Sequence, residues 1–244
     1  MANARRHFVP VRIIETTTPG TTLSRVSDRV IFFMSSEPAV KRAVVYFDGQ
    51  NLFNMAKKRF GYTFPNYCPH ALASHVCASR GWTLSQIRFY TGLPEDTADP
   101  RRQFWQKKLA ALGRKGAFLY TRDTRHGQEK GIDIRVALDV VGGALRREYD
   151  VAVIFSQDQD FTEVADEIRW IASDQARWIK LACAFPDDGT QRNGRPVCQG
   201  IRNTDWIPIL TVDYDASIDP VDYRPTPHVA PVTGPGTISP PQGP

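Results

Sequence analysis

Long hydrophobic runs are missing from this chain of 244 residues. No apolar stretch reaches the roughly 20 residues that a membrane-spanning helix needs. The basic start Met1–Pro10 is not followed by the apolar core of a secretory leader. Cysteine is scarce, at four, and forms no C-x-x-C pair. A disulfide framework is therefore not expected, and Cys68, Cys77, Cys183 and Cys198 read as free thiols in a reducing cytoplasm. Cys68-x-His70 and His75-x-Cys77 approach a zinc pattern. The two histidines are five apart, a poor match for one helical face, and Pro69 marks a helix start. No G-x-G-x-x-G follows a strand, and Gly142-Gly143 falls inside a helical stretch, which argues against dinucleotide binding. No credible Ser-His-Asp or Cys-His set is present, and there is no internal repeat.

What is present suits one good-sized domain with tails. Hydrophobic residues make up 41%, enough for a packed core, and the net charge of +5 favours a polyanionic partner without proving one. Residues 1–40 form a mixed N-terminal extension with a Thr-rich patch, and Met34 resembles a second start, so the first 33 residues read as dispensable. Residues 41–212 carry the regular pattern. Residues 213–244 hold eight of the 18 prolines and read as a disordered tail. In the middle zone strands are expected at 43–47, 86–90, 117–120, 151–155 and 179–185. Helices are expected at 52–60, 71–80, 101–112, 132–147 and 161–173. Short apolar runs alternating with helices imply βαβ units and a mainly parallel sheet flanked by helices.

Acids gather where apolar strands run out. Asp158 and Asp160 follow Val151-Ala152-Val153-Ile154-Phe155, and Asp48 ends Val44-Val45-Tyr46-Phe47. In open α/β sheets, ligands bind outside the carboxyl ends of strands, so such acids are expected at a metal site. Each also has a bland reading. Asp48-Gly49 suits a turn, with Asn51 as a cap. Asp160-Phe161-Thr162-Glu163 resembles a capping box, which accounts for Asp160 but leaves Asp158 unexplained. Asp133 opens a helix, where the macrodipole favours it, yet the wheel sets it in the apolar arc with Ala137, Val140 and Ala144. Asp139 falls with Arg135 and Arg146 on the polar side and can pair with Arg135 one turn away. Should Asp48, Asp133, Asp158 and Asp160 converge, they would repel one another, and a hard divalent cation would remove the conflict. Oxygen-only ligands favour Mg²⁺ or Mn²⁺ over zinc.

With those residues in hand, the chain resembles the NYN family of PIN-like metal-dependent ribonucleases over roughly residues 42–212. The likeness rests on Tyr46-Phe47-Asp48-Gly49-Gln50-Asn51, then Lys130-Gly131-Ile132-Asp133 with Asp139 further on, then Ser156-Gln157-Asp158-Gln159-Asp160-Phe161. The resemblance implies an α/β, three-layer Rossmann-like (PIN-like) fold and a Mg²⁺- or Mn²⁺-dependent endoribonuclease. Asp48, Asp133, Asp158 and Asp160 would be its catalytic, metal-binding acids, with Asp139 in second rank. Asn51 would hold the first acid's loop or a phosphate, and Lys130 would contact phosphate. Ser156 joins the substrate-binding set from the last motif. That motif usually reads Ser-Gly-Asp. Here Gln157 replaces a glycine that would permit unusual backbone angles, so substrate choice is expected to differ.

RNA is the expected partner, with no membrane, and homo-oligomerisation is left open. Basic clusters at Lys57-Lys58-Arg59, Arg101-Arg102, Lys107-Lys108 and Arg114-Lys115 supply surface charge, or are simply solvated helix faces. Phe53, Tyr62, Phe64 and Tyr67 either stack on unpaired bases or belong to the core. The polar segment 121–130, with Arg122, Arg125 and Lys130, is the candidate substrate-gripping loop. Two other readings stay open. One is a Rossmann-like phosphatase, since Asp158-x-Asp160 fits D-x-D. The other is an RNA-binding or regulatory module whose acids hold a structural cation.

Overall fold

The computed structural model describes residues 36–124 and 130–225. The chain divides at Met34, and the unit before it lies outside the described residues, as do Arg125 and most of the proline-rich end. The second unit is built on six parallel strands: β1 (Arg42–Asp48), β2 (Thr83–Leu93), β3 (Phe118–Asp123), β4 (Val151–Phe155), β5 (Lys180–Pro186) and β8 (Asp205–Ile209). A two-stranded hairpin, β6 (Gln191–Arg192) and β7 (Arg195–Pro196), interrupts the last crossover. Helices α1 (Gly49–Phe60), α2 (Pro69–Ser79), α3 (Pro100–Arg114), α4 (Ile132–Leu145) and α5 (Thr162–Asp174) link the strands, and a short α6 (Thr211–Asp215) follows β8.

The sheet order is β3-β2-β1-β4-β5-β8, every neighbour pair parallel. Strands β1 to β3 build one half outward, then β4 returns to the other side of β1. That reversal makes the β1/β4 boundary the topological switch point, where a crevice opens beyond the strand ends. Side chains alternate across the central strands. Ala43, Val45, Phe47, Val151, Val153 and Phe155 join one core layer with residues of α1, α2 and α3. Val44, Tyr46, Ala152 and Ile154 join a second layer with residues of α4 and α5. Both faces are covered, so these strands read as near-continuous apolar runs. The three-layer α/β expectation is met.

The C-terminal end departs from expectation. Of the segment read as a disordered tail, residues 213–225 pack into the fold. Tyr214 is fully buried and donates to the Pro65 carbonyl, and the Tyr62 hydroxyl donates to the Asp215 carboxylate. Asn66 donates to the Asp219 and Val221 carbonyls. Lys108, on α3, is only 1% exposed. Its ammonium donates to Asn66 and to the Tyr67 carbonyl, lies 3.9 Å from Asp219, and faces the rings of Tyr67, Phe104 and Tyr223. Proline content suggested disorder, but a few buried aromatics and one clamped lysine suffice to hold the strap. Strand β8 went unexpected for a related reason. Pro208 demotes a strand reading unless the strand lies at an edge, and β8 is an edge strand.

Candidate active site

Asp48 is the last residue of β1 and the N-cap of α1. Its Oδ1 accepts from the Asn51 amide at 3.2 Å, and its Oδ2 accepts from the Ser156 hydroxyl at 3.4 Å. Gly49 lets this junction form. A Cβ there would sit 2.6 Å from the Phe89 ring, so only glycine lets α1 start this close to β2. The Asn51 side chain then reaches β4's exit loop and accepts from the Gln157 amide at 3.3 Å. Ser156 is buried, and its hydroxyl oxygen accepts from the Asp158 amide at 3.2 Å. One chain of hydrogen bonds therefore ties the first and last motifs together across the switch point.

The middle motif arrives from the opposite layer. Gly131, at φ 78°, is the left-handed N-cap of α4 and turns the chain so that Asp133 lies in the helix's first turn. A Cβ on Gly131 would lie 2.7 Å from the Arg122 guanidinium, so Arg122 lies against this turn. A pocket of about 570 Å³ results, lined by Asp48, Asn51, Lys130, Asp133 and Asp158 among others. Five of the expected residues, drawn from three distant stretches of sequence, thus share one crevice. Ser156 lies beneath it, and Asp160 is exposed without lining it. Arg125 lies outside the described residues.

Two expectations are corrected. The capping role assigned to Asp160 belongs to Asp158. Helix α5 starts at Thr162 with no side-chain cap, while Asp158 caps the 3₁₀ turn Gln159–Phe161 by accepting from the Asp160 amide at 3.0 Å. The extra turn moves the cap two residues upstream of the place the sequence pattern suggested. Asp139, expected on the polar face of α4, is buried at 8% exposure. Its carboxylate accepts from the Tyr90 hydroxyl at 2.7 Å and pairs with Arg135 at 3.0 Å. Arg135 in turn lies over the Tyr120 ring. The apolar Ile134 and Leu138 are instead more than 60% exposed. The expected apolar arc holds, with Val140 and Ala144 fully buried, and so does the pairing with Arg135; only Asp139 itself is misplaced, because it carries its own partners inward. Asp139 does not line the pocket, and burial together with its hydrogen bond to Asp139 pushes the Tyr90 hydroxyl well above its ordinary pKa.

Gln157 introduces no left-handed backbone, since it is absent from the positive-φ residues. Its side chain does something sequence reasoning missed. The amide donates to the Gln199 carbonyl at 2.9 Å, and Gln159 donates to the Gly200 carbonyl at 3.1 Å and accepts from the Arg202 amide. Two alternate glutamines thus anchor the loop after β7 onto the site loop. The Q-x-Q spacing was the available signal.

The donor set is oxygen only, the hard chemistry that suits Mg²⁺ or Mn²⁺. Among the described residues no three acid, histidine or cysteine side chains stand close enough to hold a bare ion. Mg²⁺ does not require that, because it keeps several waters and uses one or two carboxylates plus substrate oxygens. The pocket's carboxylates are of the kind that would hold such a hydrated ion. The zinc pattern around Cys68 and His75 forms no such group either, and all four cysteines are free. Among the described residues no helix is long and apolar enough to cross a membrane.

A family model described as NYN domain matches residues 42–172. No curated protein matches. A crystal structure of a protein of unknown function from Vibrio parahaemolyticus is similar, at 16% identity and a TM-score of 0.47, covering 71% of this chain and 96% of that one.

Proposed function

Because the chain belongs to the NYN domain family, a PIN-like nuclease family, we propose that it is a Mg²⁺- or Mn²⁺-dependent endoribonuclease. The observation that carries this reading is the shared pocket of Asp48, Asp133 and Asp158 at the switch point, with Lys130 on its rim. In it, one or two of Asp48, Asp133 and Asp158 would hold the hydrated cation directly and the remainder would reach it through its waters. When bound, the cation lowers the pKa of a water and offsets charge on the phosphoryl oxygens. Lys130 and Arg122 draw the phosphodiester in and neutralise its charge. Asn51 and Ser156 keep the Asp48 carboxylate in one orientation, so that little reorganisation is needed as the phosphorus is attacked.

The test is cleavage of labelled RNA with Mg²⁺ or Mn²⁺ and with chelator, beside Asp48→Asn, Asp133→Asn and Asp158→Asn. Asparagine is itself a good N-cap, so the first and third variants retain their capping bonds while losing the charge. Metal-dependent cleavage that falls at least about 100-fold in each variant supports the proposal. RNA binding without cleavage would leave a binding module, and phosphate release from a small ester would leave a phosphatase. Residues 1–33 are proposed to be dispensable. A chain beginning at Met34 and ending no earlier than Pro225 should keep full activity, and loss of folding in it would overturn that point.

A further inference from the structure

Beside the acid pocket lies a larger groove of about 1090 Å³. The two share Gln50 and Asn54, so one opens into the other along α1. On α1 the groove is lined by Gln50, Phe53, Asn54 and Lys57, spaced as one helical face. Its floor is aromatic. Phe53 meets Phe64 edge to face at 5.9 Å and Trp105 at 6.2 Å. The far wall comes from the C-terminal strap, where the Arg224 guanidinium lies 4.8 Å from the Phe64 ring centre. That strap falls beyond the stretch matched by the family model.

We propose that this groove receives the unpaired base of a nucleotide next to the scissile phosphate, an inference that rests on the ribonuclease reading. Three features favour a base as occupant. Half-buried Phe53 and Phe64 offer ring surface, and base–aromatic stacking tolerates any base. Arg224, already stacked on Phe64, adds a further planar surface, a cationic one, for a base to lie against. Finally, Glu95, Asp96 and Asp99 in the lining offset Lys57 and Arg101, while Arg224 is already paired with Asp222. A phosphodiester gains nothing from such a lining, whereas a neutral base with amino and carbonyl edges does. The phosphate is left at Lys130 while its neighbour's base turns into the groove.

The experiment uses a short single-stranded RNA with 2-aminopurine at one position at a time. Chelator is present, so binding is read apart from cleavage, and anisotropy of an end label reports total binding. The proposal expects quenching at one position in the wild type. Phe64→Leu and the exposed Arg224→Ala should reduce that quenching at least about 5-fold, the range expected for one lost stack. Removing the base at that position should weaken binding by a similar factor. RNA that binds with no quenched position, or quenching that neither variant changes, overturns the groove, as does RNA that does not bind at all. The ribonuclease reading is judged separately, by metal-dependent cleavage of the unmodified RNA. Cleavage without a quenched position would sink the groove and leave the nuclease standing.

Discussion

Lys108 offers a quantitative test of how the C-terminal strap is held. Burial pushes its ammonium down from an ordinary 10.5 to about 8; Asp219 and Cys68 oppose the shift and Lys115 adds to it. Below pH 8 the lysine is protonated in folded and unfolded chains alike, and the burial penalty stands in full. Between 8 and 10.5 the unfolded chain binds more protons than the folded one, so this group's contribution to stability rises with pH. From pH 7.5 to 9.5 the gain works out at about 2 kcal/mol. The wild type alone does not display it cleanly. Buried thiols at Cys77 and Cys183, pushed up to about 11 and 12, lose stability as the unfolded chain's thiols ionise in the same interval, and Cys198 is also raised. Those terms are common to Lys108→Met and cancel in the difference. Urea unfolding of both proteins under reducing conditions should therefore show the wild type gaining about 2 kcal/mol on the variant between those two pH values. At the usual slopes that is a relative midpoint shift of roughly 1 M. A difference that stays flat with pH would refute the depressed lysine.

Three further outcomes follow from the site. Gly49→Ala should cost about 1–3 kcal/mol of stability by calorimetry, because its Cβ meets the Phe89 ring and the Tyr90 carbonyl. Tyr90→Phe leaves the buried Asp139 carboxylate short of a donor and should destabilise by about 1–3 kcal/mol, with RNA cleavage per folded molecule unchanged. Gln157→Gly removes the bond to the Gln199 carbonyl and should raise protease sensitivity around residues 199–202, with at most about a 10-fold loss of cleavage.

Much of the frame could be read from residue order. Five strands and the helices between them, the strand-end acids and the Gly-containing turns are local patterns, and local backbone chemistry produces them wherever they occur. The pattern ran out where a residue's environment depends on distant chain. Asp139 looked solvent-facing because its partner Tyr90 lies 49 residues earlier. Asp160 looked like the cap because one 3₁₀ turn cannot be told from a helix start by spacing. The strap at 213–225 looked disordered because its anchors, Asn66 and Lys108, are more than 100 residues away.

By itself, then, the sequence determined the alternation of strands and helices, the acids at strand ends and the family to which the chain belongs. These rest on periodicity and motif, which need no knowledge of contacts. Only the tertiary structure decided which acids share a crevice and which are tied up in pairs. It also decided that an aromatic groove opens beside the acid pocket. Crossing the β1/β4 switch point brings residues more than 100 positions apart within hydrogen-bond reach, as Asp48 and Ser156 show. Such proximity is a property of the packed sheet and of no local stretch of chain.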